Sequence, residues 1–95
     1  MAEYLATVRF TGQGMAKYKD TVKRAQKLRS SLKKLGAEVR QIYWSMGRYD
    51  GFLIFSAADD EVASAAMLYV AAQGNVSLTT SRLFDEKEMA RIVAS

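Results

Sequence analysis

Two aromatic-rich apolar runs, Ile42-Tyr43-Trp44 and Phe52-Leu53-Ile54-Phe55, flank the short stretch Met46-Gly47-Arg48-Tyr49. Runs of this kind broken by a Gly-centred turn specify two antiparallel strands joined as a hairpin, because Gly takes positive φ there without a Cβ clash. A chain with its largest side chains in a central hairpin has to build a sheet around it. The flanking segments say how large that sheet is.

Residues 4–10 alternate Tyr4, Ala6, Val8, Phe10 against Leu5, Thr7, Arg9, the period of a strand buried on at least one face. Thr11-Gly12-Gln13-Gly14-Met15 then reads as a flexible loop, since its bare G-x-G lacks the later Gly or the Lys-Ser/Thr of a nucleotide motif. From residue 16 to 35 the positions Tyr18, Val22, Ala25, Leu28, Leu32 and Leu35 fall at helical spacing, and Gly36 follows as a stop. Strands over 38–46 and 50–56 form the hairpin. Asp59-Asp60-Glu61 suits the positive end of a second helix, which runs through an Ala-rich segment to about residue 73. Gly74-Asn75 ends it, residues 76–84 read as a fourth strand, and Asp85 with Glu88 offers a capping box for a short last helix. The order β-α-β-β-α-β predicts an α+β, ferredoxin-like domain over residues 1–95, with both helices on one face of a four-stranded antiparallel sheet.

Alternation assigns Tyr4, Ala6, Val8, Phe10, Tyr43, Leu53 and Phe55 to the face beneath the helices. The opposite face collects Arg9, Ile42, Trp44, Asp50, Phe52 and Ile54, a mixture too apolar to stay wet, while a single bulge would exchange part of the two sets. Such a face predicts a homodimer or higher homo-oligomer, with either a ligand cavity between the paired sheets or a dry, filled interface. Within it Asp50, Arg9 and Trp44 are the ligand-binding candidates. Asp50 is the catalytic candidate: a strand-held carboxylate can abstract a proton or orient a ligand, and Asp is equally at home accepting hydrogen bonds from turn N–H groups. Trp44 suits stacking on a flat ligand and suits an interface anchor as well.

Composition removes much familiar chemistry. With no Cys and no His there is no disulfide, thiolate or imidazole metal ligand, and no Ser-His-Asp or Cys-His triad; a metal site would need oxygen ligands alone, and no acidic cluster has the alternating spacing of a calcium loop, so the expectation is no metal and no cofactor. No apolar run is long enough for a membrane span, and the N-terminus lacks a secretory layout; a cytoplasmic protein without membrane contact is expected. Eight basic residues between Lys17 and Lys34 against Asp20 give that segment +7 out of a chain total of +4, leaving the remainder at −3. A basic helix face is most simply solvated surface. The alternative is an assembly module whose helix meets an acidic partner; nucleic acid is not favoured, because no exposed aromatics interleave the charges.

Tyr4-Leu5, Phe10-Thr11-x-x-Gly14, Lys23-Arg24, Tyr43-Trp44, Gly47-x-Tyr49-Asp50, Asp59-Asp60, Gly74-Asn75-Val76 and Phe84 with its acidic follow-on resemble the GYD domain family, named for its Gly-x-Tyr-Asp signature. The resemblance implies a dimeric α/β-barrel relative of the ferredoxin-like fold, in a family of small bacterial and archaeal proteins whose biochemical role is largely uncharacterised. One departure is Ser56-Ala57-Ala58, where the family tends to carry a Glu and a Pro ahead of the Asp-Asp pair.

Overall fold

In the computed structural model, which describes residues 1–95, β1 (Ala2–Phe10), β2 (Glu38–Trp44), β3 (Gly51–Ala57) and β4 (Val76–Leu83) form one antiparallel sheet. Their order, β2-β3-β1-β4, is that of the expected ferredoxin-like arrangement. Between β1 and β2 lie a short helix α1 (Gly12–Ala16), a 3₁₀ turn (Tyr18–Asp20) and α2 (Thr21–Lys34). α3 (Asp60–Ala72) joins β3 to β4, and α4 (Glu86–Ala94) follows the sheet.

The first helical segment is therefore broken where one helix over 16–35 was expected. Thr11 caps α1 through a hydrogen bond from the Gly14 N–H to its hydroxyl (3.1 Å), and Lys17 leaves helical geometry at φ −113°, ψ 27°. Tyr18 and Val22, both placed at helical spacing by the sequence, are each 55% exposed. The working stripe of α2 is shorter: Ala25 and Leu28 are half-buried and only Leu32 is fully buried. At its end the Gly36 N–H donates to the Lys33 carbonyl (3.1 Å) and the Ala37 N–H to that of Leu32 (2.9 Å), closing the last turn. Asp59 caps α3 by accepting from the Val62 N–H, and α4 opens with the anticipated capping box between Asp85 and Glu88.

The core lies between the sheet and these helices. Phe55 has no exposed surface and stacks on Tyr4 at 5.2 Å between ring centroids, with Ala6, Leu32, Ala66, Met67 and Val70 around them. Gly47 turns the hairpin at φ +109°, the conformation its sequence position called for.

One irregularity changes the face assignment. The β2–β3 register slips between Val39 and Gln41, leaving Arg40 as an extra residue. Before the slip Val39 pairs with Phe55; beyond it Ile42 pairs with Leu53, Tyr43 with Phe52 and Trp44 with Gly51. Directly paired residues share a face, so Ile42 and Trp44 lie on the helix side and Tyr43 on the open side, the reverse of strict alternation. The indole N–H of Trp44 donates to the Thr21 hydroxyl (2.9 Å) at the start of α2, consistent with that placement.

Candidate functional site

The residues around one end of the sheet form a hydrogen-bonded lock. The Thr11 N–H donates to the Asn75 carbonyl (3.1 Å) and its hydroxyl to the Gly74 carbonyl (2.6 Å). The Gln13 amide donates to the Gln73 carbonyl and to the Asn75 side-chain oxygen, both at 3.0 Å. Gly14 is buried with its α-carbon so close to Asn75 that no Cβ fits. The segment read from sequence as a flexible loop is instead a helical turn fastened to the entry of β4. Its glycine serves backbone approach, not phosphate binding.

Asp50 belongs to the same end. Its carboxylate accepts from the Phe10 N–H (2.7 Å), while its own N–H donates to the Val8 carbonyl (2.8 Å) and its carbonyl accepts from Ser45 N–H (2.9 Å). Asp50 thus ties the hairpin restart to the last residue of β1, the backbone-accepting role that its residue type allows. Asp50→Ala should leave the Phe10 N–H without its acceptor and cost roughly 1–3 kcal/mol, whereas Asp50→Asn, which keeps an acceptor oxygen, should cost less. Urea denaturation of the two variants checks this; equal losses would mean that the negative charge, not the hydrogen bond, matters.

Beside the lock, between the helices and the sheet, lies an apolar cavity of about 370 Å³. α2 packs mainly over β2, and α3 over β3 and β4, so the ends of β1 and β3 between them are only partly covered. Val8, Leu53, Leu78, Leu28, Ile42 and Val70 supply much of its apolar wall. Trp44, Asp50, Thr21, Arg24, Lys27 and Tyr69 contribute polar or amphipathic groups. The Arg24 guanidinium is anchored by donation to the Lys17 carbonyl (2.8 Å), with a longer contact to that of Gly14 (3.5 Å).

Of the three ligand-binding candidates, Trp44 and Asp50 line this cavity together and Arg9 does not. Arg9 pairs with Ser77 on the open face and is exposed. The mixed-face triad Asp50, Arg9 and Trp44 is accordingly split between the two sides of the sheet, because the Arg40 bulge turns Trp44 over. Ser56, at the place of the departure noted above, is buried with its hydroxyl unpartnered, so that position offers no acid–base group. Arg24, Lys27 and Tyr69 were not singled out as site residues by sequence reasoning. For the side that Trp44 takes, the available signal was the consecutive polar pair Arg40-Gln41, which breaks β2 alternation and marks a bulge.

A second, more open depression flanks α3 on its other side, near Tyr4, Asp60 and Arg82. The Tyr4 hydroxyl donates to Asp60 (2.7 Å), and Arg82 pairs with Glu88 (2.7 Å) while lying over the Phe84 ring (4.6 Å). This network binds the sheet to the start of α3 and to α4. Burial, and then the hydrogen bond to Asp60, push the Tyr4 hydroxyl up to about 12. A folded-state value above the unfolded one gives stability that is fully present below about pH 10 and is lost as pH rises through about 12. Melting temperature should fall over that window less steeply in Tyr4→Phe than in the parent chain. Parallel pH profiles would disprove the assignment.

The fold, the lock and the cavity define a small ferredoxin-like α+β domain with an apolar chamber on its helix side. The GYD domain family model matches residues 4–93, nearly the whole chain, and the protein belongs to that family. No curated protein and no solved structure matches the chain. The motif positions thereby acquire physical roles: Thr11, Gly14, Gly74 and Asn75 form the lock, and Asp50 fastens the hairpin to it.

Proposed function

We propose that this chain is a cytoplasmic, homo-oligomeric binding domain that holds a small, largely apolar molecule in the chamber between α2, α3 and the sheet. The chamber itself carries this reading. At about 370 Å³ it falls in the range of small-molecule sites, and its mostly apolar wall with a few polar groups has their usual composition. Lining residues on strands and on a fastened hairpin are positioned more accurately than residues on free loops.

A titration with the neutral fluorescent probe N-phenyl-1-naphthylamine tests the idea. Saturable emission enhancement is expected for the parent chain and weaker binding for Leu28→Trp, whose larger side chain takes up part of the chamber. Absence of saturable binding, or unchanged binding by a folded Leu28→Trp, would overturn the reading.

Assembly rests on different residues. Relocating Ile42 and Trp44 to the helix side removes them from the open face, yet Tyr43 joins Leu5, Phe52 and Ile54 there. Tyr43 is 52% exposed, and on α4 Met89, Ile92 and Val93 form an exposed apolar stripe at i, i+3 and i+4. Pairing two copies through the open face covers the sheet surface, which supports a homodimer as the working form.

A further inference from the structure

We infer that the chamber selects molecules with an apolar body and a single anionic end, a medium-chain carboxylate being the simplest. The inference rests on the chamber as a binding site and adds the chemistry of its polar rim. Two cations of α2, Arg24 and Lys27, belong to the lining, and neither takes part in an ion pair; the chain's two ion pairs, Arg40–Glu38 and Arg82–Glu88, lie elsewhere. Asp50 is the sole carboxylate in the lining, and one of its oxygens is committed to the Phe10 N–H at 2.7 Å.

Arg24 is half-buried and anchored by backbone carbonyls, which accept hydrogen bonds but bring no full negative charge. A guanidinium has five N–H donors, so this anchoring leaves donors for a carboxylate while restricting the side chain in advance. The surrounding helix reinforces the preference, because the segment from Lys17 to Lys34 carries +7 within a chain of +4. An apolar tail laid against Leu28, Leu53 and Val70 with its head at Arg24 and Lys27 satisfies both halves of the lining. A cationic head in that position would face two cations against the single Asp50 carboxylate, and a neutral alcohol would gain hydrogen bonds without charge assistance.

Displacement of N-phenyl-1-naphthylamine by decanoate and decylamine below their micellisation concentrations, and by decanol below its solubility limit, decides the matter. Decanoate should compete on the order of tenfold better than decanol, as one charge-assisted contact at a half-exposed site implies, and decylamine should compete least. The preference for decanoate should shrink with added salt and should disappear in Arg24→Gln or Lys27→Gln. Should Arg24→Gln fail to fold for want of its carbonyl contacts, Lys27→Gln carries the test alone. Decanol competing as well as decanoate, no displacement by any of the three, or a preference that survives substitution at Lys27 and at a folded Arg24 would overturn the inference while leaving probe binding, and hence the binding-domain reading, intact. Failure of the probe to bind at all would instead remove that reading.

Discussion

Gly14→Ala is expected to abolish the native fold or to destabilise it by about 3 kcal/mol or more, although alanine is the better helix former. An added Cβ would stand 1.9 Å from the Asn75 carbonyl oxygen and 2.9 Å from its carbon. Backbone is the obstacle, and it is held on both sides. The same Asn75 oxygen accepts from the Thr11 N–H, and the neighbouring Gly74 carbonyl accepts from the Thr11 hydroxyl. Moving Asn75 away would break the lock and disturb the first residue of β4. Gly12→Ala is the internal control: nothing lies within 4 Å of its Cβ position, so propensity alone should act and stability should hold or rise slightly. Thermal melts of the two single variants decide the point. Similar melting temperatures would mean that α1 can shift away from β4 at little cost.

That contrast also shows what a sequence can and cannot disclose. Strand number, strand order and the buried faces of β1 and β3 were legible, because Tyr4, Ala6, Leu53 and Phe55 keep strict period-two spacing and their neighbours pair in uninterrupted register. The capped starts of α3 and α4 were legible for a local reason, since Asp59, Asp85 and Glu88 act on N–H groups three residues away or fewer. The role of Gly14 was not: its partner Asn75 is distant in the chain, and nothing local separates a glycine needed for close approach from one that merely bends a loop. Trp44 was misplaced because one extra residue at Arg40 reverses every side chain after it. The chamber was missed with it. Val8 and Leu53 of its wall were read as the face beneath the helices and Ile42 and Trp44 as the opposite one, and only the placement of α2 and α3 over different strands leaves the gap between them.

Phe55→Ala should be the most costly side-chain truncation, at roughly 3–5 kcal/mol, because the ring is fully buried and its removal leaves a cavity against Tyr4 that β1 and β3 cannot close without losing register. Phe52→Ala, three positions away on the same strand, supplies the comparison that bears on assembly. Phe52 lies on the open face, is only partly buried in the single chain and packs edge-on against Tyr49 at 5.7 Å. In a monomer its loss should therefore cost less than half as much, by the smaller apolar area involved. In a dimer joined through that face, the cost of Phe52→Ala should grow with protein concentration over the range in which the parent chain associates, whereas that of Phe55→Ala should stay nearly constant. Urea unfolding at several concentrations, read beside sedimentation, separates the cases. If both losses are independent of concentration and the parent chain sediments as a monomer, the open face is solvent-facing surface and the assembly proposal fails.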